Sequence, residues 1–351
     1  MLRPTPGTRE VDDTLRLDEG WVRALFLDLY GRPPYAQERA RWIGADRTEL
    51  VDDALRSEEA WRHWLDEQLY YFMLIDTFRP VGTSLDELPA LLARGAMAPR
   101  DALHRIALST SFDLRNPGAD TFVTVVMEQL CGMRVQKSTR ELEIGKAAYD
   151  GNQGLFLGEK ASSQSDVVAV AVRHVDAARH FVEREHERLL RAPIDRRDRS
   201  RSGKRVHRKP AEYVALLREW LLSDAYAARV SQGAPLSNRV WVRAIYVDLG
   251  GSLPTVDDTE SLRSALDGLG DPAPLRSAIV RMLLDADATG APRADEIDDA
   301  GEWVEGVFER LLGRAPSDEE RAAFTETAEG ASDGPELVLY ALLTSEEYER
   351  P

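Results

Sequence analysis

Three tryptophans, Trp21, Trp241 and Trp303, open the same short phrase: WVRALFLDLYGRPP, WVRAIYVDLGGSLP and WVEGVFERLLGRAP. A glycine stands ten residues after each (Gly31, Gly251, Gly313) and a proline thirteen after (Pro34, Pro254, Pro316). An acid follows at seventeen (Glu38, Asp258, Glu320). Self-similarity of this kind marks a chain built by duplication of one small supersecondary unit. It constrains architecture far more than chemistry.

Each phrase reads as a helix. Val22, Leu25, Phe26 and Leu29 fall at spacings of three and four, one face of a 3.6-residue period. The glycine ends that helix in the left-handed cap conformation, and Arg32, Pro33 and Pro34 form a turn into a second helix near 35–43. The unit closes with a third phrase, ALRSEEAWRHWLDE from Ala54 and ALLTSEEYER from Ala341, in which a serine before two acids is an N-cap. Three or four short helices in about 45–60 residues are expected per unit.

A degenerate copy lies between. FVTVVMEQLCGMRV repeats the ten-residue spacing with Phe122 and Gly132. Its closing phrase, AVRHVDAARHFVERE from Ala171, aligns with the one from Ala54, setting Glu59 against Asp176, His63 against His180 and Trp64 against Phe181. Lone closing phrases recur from Ile106 and Leu221. Units therefore begin at 21, 122, 241 and 303. The segment DRRDRSRSGKRVHRKP from Asp195 is basic, polar and holds a glycine and a proline, which reads as a linker or exposed loop. The expected organisation is an N-terminal arm at 1–20, a helical domain at 21–192, a basic linker at 193–210 and a second helical domain at 211–351. No stretch sustains strand alternation. The expected fold is all-α, with tandem small helical units packed in two halves.

Charge narrows the partners. The net charge of −16 is concentrated in residues 211–351, with 28 acids against 12 bases, while 191–209 holds nine bases against two acids. An acidic body argues against nucleic acid as a general partner, because phosphate attraction needs a positive face. The single cysteine, Cys131, allows no intramolecular disulfide and no cysteine-built metal site; it lies in an apolar helical stretch as a buried small hydrophobe. No signal peptide and no apolar run of about 20 residues is seen, which points to a cytoplasmic chain with no membrane partner.

The phrases WVRALFLDLYGRPPYAQE and ALRSEEAWRHWLDEQLYY resemble the helical domain of unknown function in planctomycete-type cytochrome-associated proteins, over about 50 residues of the first unit. The last unit, EWVEGVFERLLGRAPSDEE with LLTSEEYER, resembles the helical repeats of phycobilisome linkers. Both resemblances imply helical interaction or assembly modules. Neither carries catalytic residues onto this chain, which also lacks a CxxCH haem attachment motif.

Four constellations could carry chemistry. Glu59 with His63, and Asp176 with His180, place an acid four residues before an imidazole on one helical face; they read as tuned histidines or metal half-sites, or as surface ion pairs. Glu183 and His186 form one ExxH, half of a di-iron motif, with no second copy to complete it. DADATGAPRADE has the skeleton of a calcium loop, with Asp285, Asp287 and Thr289 at positions one, three and five and Glu296 at twelve, although Pro292 and Arg293 fit it poorly. The glycine-rich YDGNQGLFLGEKASS from Tyr149 fails the Walker spacing and reads as an insertion in the second unit.

The residues thus point to a non-enzymatic scaffold or protein-interaction module, binding a protein partner or its own copies and needing no cofactor. A metal-dependent or redox-associated enzyme and a weak calcium-binding module are the alternatives. Trp21, Trp241 and Trp303 are expected to anchor the packing of their units.

Overall fold

The computed structural model describes residues 17–74, 85–286 and 291–351, and over these the chain is all-α apart from one small hairpin. The first unit forms α1 (Glu19–Tyr30), α2 (Ala36–Trp42), α3 (Arg47–Ala54) and α4 (Glu58–Met73). Then come α5 (Leu88–Ala93), α6 (Pro99–Ala107) and α7 (Thr110–Arg115). The second unit holds α8 (Gly118–Val125), extended by a π turn at Val126–Leu130, then α9 (Thr139–Tyr149), α10 (Gln164–Arg173) and α11 (Val175–Leu190). Three helices follow, α12 (Arg196–Arg208), α13 (Glu212–Leu221) and α14 (Asp224–Gln232). The third unit gives α15 (Asn238–Gly250), α16 (Val256–Asp267) and α17 (Ala273–Leu284). The last gives α18 (Ala300–Leu312), α19 (Asp318–Gly330), α20 (Gly334–Leu343) and α21 (Glu346–Glu349).

The repeated letters have separate local causes. Gly31, Gly132, Gly251 and Gly313 all sit at φ between 63° and 72°, a conformation that costs glycine little. Pro34, Pro254 and Pro316 stand one residue before the N-caps Tyr35, Thr255 and Ser317, outside the helix rather than in its first turn. The acid four residues after each proline is then the third helical residue. Glu38 and Glu320 accept from the N-cap backbone N–H of Tyr35 and Ser317. In the closing phrases Ser109, Ser223 and Ser345 cap α7, α14 and α21, and the aromatic three residues on (Phe112, Tyr226, Tyr348) is fully buried.

Two apolar cores result. The first runs from Leu17 to Tyr226 and the second from Val240 to Tyr348, joined by Leu27 of α1. Trp21 and Trp241 are core residues; removing the latter's ring would cost about 3–5 kcal/mol. Trp303 is only half-buried at the edge of the second core, so it anchors less than its two counterparts.

The boundaries differ from the sequence reading. Residues 196–208 are not a linker but the helix α12, which packs along α11 through buried Ser202, Gly203 and Val206. Gly203 permits the approach, since a Cβ there would stand 2.6 Å from the Arg179 side chain. A basic composition hid one apolar strip on an otherwise solvated helix. Helices α13 and α14 also belong to the first core, through Tyr213, Leu216, Leu217, Leu221 and Tyr226. The change of core therefore falls at 233–237, where the Ala234 and Leu236 N–H groups donate to Pro351 O and Glu349 O. Of the expected arm, Leu17 is buried and donates to Ala45 O, and α1 already begins at Glu19; residues 1–16 lie outside the described residues. The insertion after Tyr149 makes the hairpin β1 (Gly154–Phe156) and β2 (Glu159–Ala161), antiparallel, with Phe156 buried beneath it.

Candidate functional site

The two repeat histidines do not pair with their acids. Glu59 turns to Arg32, whose buried guanidinium also binds Glu38, at 2.6 and 2.7 Å. Asp176 binds Arg179 at 2.7 Å and approaches His174. Each imidazole packs instead on the cap glycine of its own unit. A Cβ on Gly31 would lie 2.5 Å from the His63 ring, and one on Gly132 2.7 Å from the His180 ring. The acid–imidazole spacing was real, but a buried arginine outcompeted histidine for Glu59 because it is always charged and binds carboxylates bidentately. The last unit repeats that fork, with Arg314 on Glu320 and Glu347 at 2.8 and 2.5 Å.

The first two units also make reciprocal contacts. The alignment that sets His63 against His180 sets Gln68 against Glu185 and Tyr71 against Arg188. Gln68 Nε2 donates to Glu185 Oε1 at 3.1 Å, and Trp64 meets Phe181 edge-on at 6.4 Å, so equivalent residues touch. Arg188 Nη1 donates to the carbonyl of Asp28, while Tyr71 Oη donates to that of Gln129, the residue aligned with Asp28. Such self-pairing arises where like surfaces face each other about a local two-fold relation.

The reciprocity fails at the histidines, and beside His63 a cavity opens. At His180, Nε2 lies 3.3 Å from the Tyr71 hydroxyl. At His63, Arg188 stands where Tyr71 stands on the other side, and the buried Nδ1 has no hydrogen-bond partner among the described residues. The cavity, about 250 Å³, is lined on one side by His63, Asp28, Glu67, Arg188, Arg191 and Arg229. Leu27, Pro235, Leu236 and Val240 line it from α1, the connector between the cores and the start of α15. Burial, with Arg243, Arg239 and Arg188 nearby, holds His63 well below the ordinary imidazole range, so it is neutral near pH 7. Burial likewise brings His180 down to about 4, helped by Arg184 and Arg199.

Charges around the cavity are unevenly matched. Arg229 binds the buried Asp28, which also accepts from Tyr226 Oη at 2.7 Å. Arg188 binds Glu185 at 3.1 Å. Burial raises the Glu185 carboxyl, but Arg188 and Arg184 outweigh it and hold the group below its usual value. Glu67 faces Arg239 at 3.5 Å. Arg191 is an exposed residue of the lining with no ion pair among the described residues; partial desolvation, with Arg229 and Arg188 nearby and Asp28 and Glu67 only partly opposing, lowers its proton affinity. In the second core, Asp248 is the counterpart of Asp28. It accepts from Tyr348 Oη at 2.9 Å and binds Arg23 of α1 at 2.8 Å, locking the two cores together.

A second surface stands out on α12. Arg197, Arg201, Lys204 and Arg208 fall at steps of four, three and four, so they share one exposed helical face about 16 Å long. Arg201 pairs with Asp198, but Arg197, Lys204 and Arg208 have no ion-pair partner among the described residues. Elsewhere on α12, Arg199 binds Glu183, and Arg205 binds Glu212 and Glu219. Glu183 is thereby drawn from the ExxH pattern, and His186 turns to the Ala192 carbonyl and the Trp220 ring.

In the calcium-like segment, Asp287 and Thr289 lie outside the described residues. Asp285 binds Arg281 at 2.7 Å, and Glu296 accepts from the Arg293 N–H. Among the described residues no group of three or more His, Cys, Asp or Glu is placed to hold a metal. Cys131 is buried, its thiol raised to about 12 by burial. No helix among the described residues is long and apolar enough to cross a membrane.

The sequence reading named His63 but missed Arg188, Arg191, Arg229 and Asp28. A signal existed for Asp28: Asp248 occupies the same place seven residues after its tryptophan, and Tyr226 and Tyr348 share a place in their closing phrases. The arginines carry no repeat signal, because they come from elements far apart in sequence. No family model matches the chain, and no curated protein is significantly similar to it.

Proposed function

We propose that the protein is a non-enzymatic helical interaction module that joins a second copy of itself, α12 of one copy lying against the acidic C-terminal half of the next. The observation that carries this is the cationic face of α12. It is a row of four bases on a helix packed against α11, three of them without an ion pair among the described residues, in a chain of net charge −16. The complementary surface is supplied by residues 211–351, which hold the net negative charge. Within one copy, the ion pairs of α12 run to α11, α13 and its own Asp198, leaving that face open. The resemblance of the opening and closing phrases to helical assembly modules supports the same reading.

Sedimentation velocity on the purified chain tests it. Concentration-dependent association in about 20 mM salt, dissolving by about 300 mM, is expected from screening of exposed charges. The fourfold reversal Arg197→Glu, Arg201→Glu, Lys204→Glu, Arg208→Glu should abolish it. A chain that stays monomeric at low salt and high concentration sinks the proposal.

A further inference from the structure

We propose that the cavity beside His63 is a binding site for a small organic carboxylate with an apolar body. Three features of the wall meet there. Arg191 is an exposed lining cation without an ion pair among the described residues, next to Arg188 and Arg229, whose charges Glu185 and Asp28 already match. His63 is 5% exposed, and its buried Nδ1 has no hydrogen-bond partner among the described residues, an arrangement that costs free energy. Leu27, Pro235, Leu236 and Val240 supply an apolar wall, which a bare inorganic anion would not use.

The two-fold relation indicates what the occupant does. At the equivalent imidazole, His180, the chain supplies its own oxygen through the Tyr71 hydroxyl at 3.3 Å. At His63 the aligned residue is Arg188, whose side chain carries no oxygen. A carboxylate oxygen beside His63 fills the role of the Tyr71 hydroxyl. The second oxygen faces Arg191, and a charge-assisted bond there is of the strong kind. A volume of about 250 Å³ suits a body of about eight heavy atoms, at the roughly 30 Å³ that each water occupies in the liquid.

Isothermal titration calorimetry on the full chain, with hexanoate, benzoate and inorganic phosphate as probes, tests the assignment. Saturable binding of a carboxylate probe is expected, with phosphate weaker. Arg191→Gly separates binding from folding. Arg191 caps α11 at φ 51°, a left-handed position that glycine takes with less strain, so this variant should melt no lower than the parent. It should bind at least about tenfold more weakly, as expected from losing a charge-assisted contact. Leu236→Glu, which places a carboxylate in the half-buried wall, should compete with the probe and give the same loss. No saturation with either carboxylate, or affinity unchanged in both variants, overturns the proposal. Phosphate binding as tight as benzoate and hexanoate overturns the apolar-body assignment.

Discussion

The imidazole of His63 fills the space where any residue other than glycine at position 31 would carry its β-carbon, 2.5 Å from the nearest ring atom. His180 does the same at Gly132, at 2.7 Å. Gly31 and Gly132 are thus each required twice, once for the dihedral angle and once for a ring laid upon it. Gly251 is required only once, with φ 68° and open space where its Cβ would stand. An alanine series separates the two demands. Gly251→Ala should cost about 1 kcal/mol from the backbone alone. Gly31→Ala and Gly132→Ala should cost roughly 2–4 kcal/mol, because a buried ring must also move. Urea midpoints at a common m-value give the comparison, and equal losses at all three positions would show that the histidine contacts carry no weight.

Both buried histidines make stability depend on pH in a fixed direction. An unfolded histidine takes its proton near 6.5, whereas folded His180 takes it only near about 4, and folded His63 is lowered in the same sense. Between those values the unfolded chain binds more protons. The contribution is therefore whole above 6.5 and lost as pH falls toward 4, at up to about 1.4 kcal/mol per pH unit for each histidine. Melting temperature against pH should fall less steeply for His180→Gln than for the parent over this window. Parallel curves would contradict the assignment.

Arg23 and Asp248 join the two cores through a buried pair at 2.8 Å, with Tyr348 as a third member. Removing one partner strands the other. Arg23→Met should cost about 3–5 kcal/mol, and the double change with Asp248→Leu much less than the sum of the two. A coupling energy below about 0.5 kcal/mol in that double-mutant cycle would mean that the pair does not hold the cores together.

The standing of α12 as a packed helix can be read at one residue. In an exposed helix or flexible connector, Gly203→Ala is neutral or stabilising by up to about 1 kcal/mol. Here its Cβ would meet the Arg179 side chain at 2.6 Å and the Arg179 Cα at 2.9 Å, so the substitution should destabilise the fold. A raised melting temperature would return residues 196–208 to the status of a connector.

Much of the local structure was legible in the letters. The apolar spacing gave the helices, the glycines their ends, and the serines and acids their starts, because each of these is decided within four residues of chain. The alignment of His63 with His180 also held, down to the shared seat on a cap glycine. What failed was the partner of each charge. Glu59 is four residues from His63, but Arg32 reaches it across a turn. The basic run at 193–210 reads as solvated because the buried strip of α12 is small: Ser202, Gly203 and Val206.

The sequence by itself therefore determined the helices and their ends, since hydrogen bonding and capping act locally along the chain. The tertiary structure alone decided that Arg188, Arg191 and Arg229 meet His63 in one cavity, and that Asp28 and Asp248 become buried anchors. Those outcomes depend on which surfaces of distant helices exclude water together, and charge pairing under burial selects partners by proximity in space, on which spacing along the chain is silent.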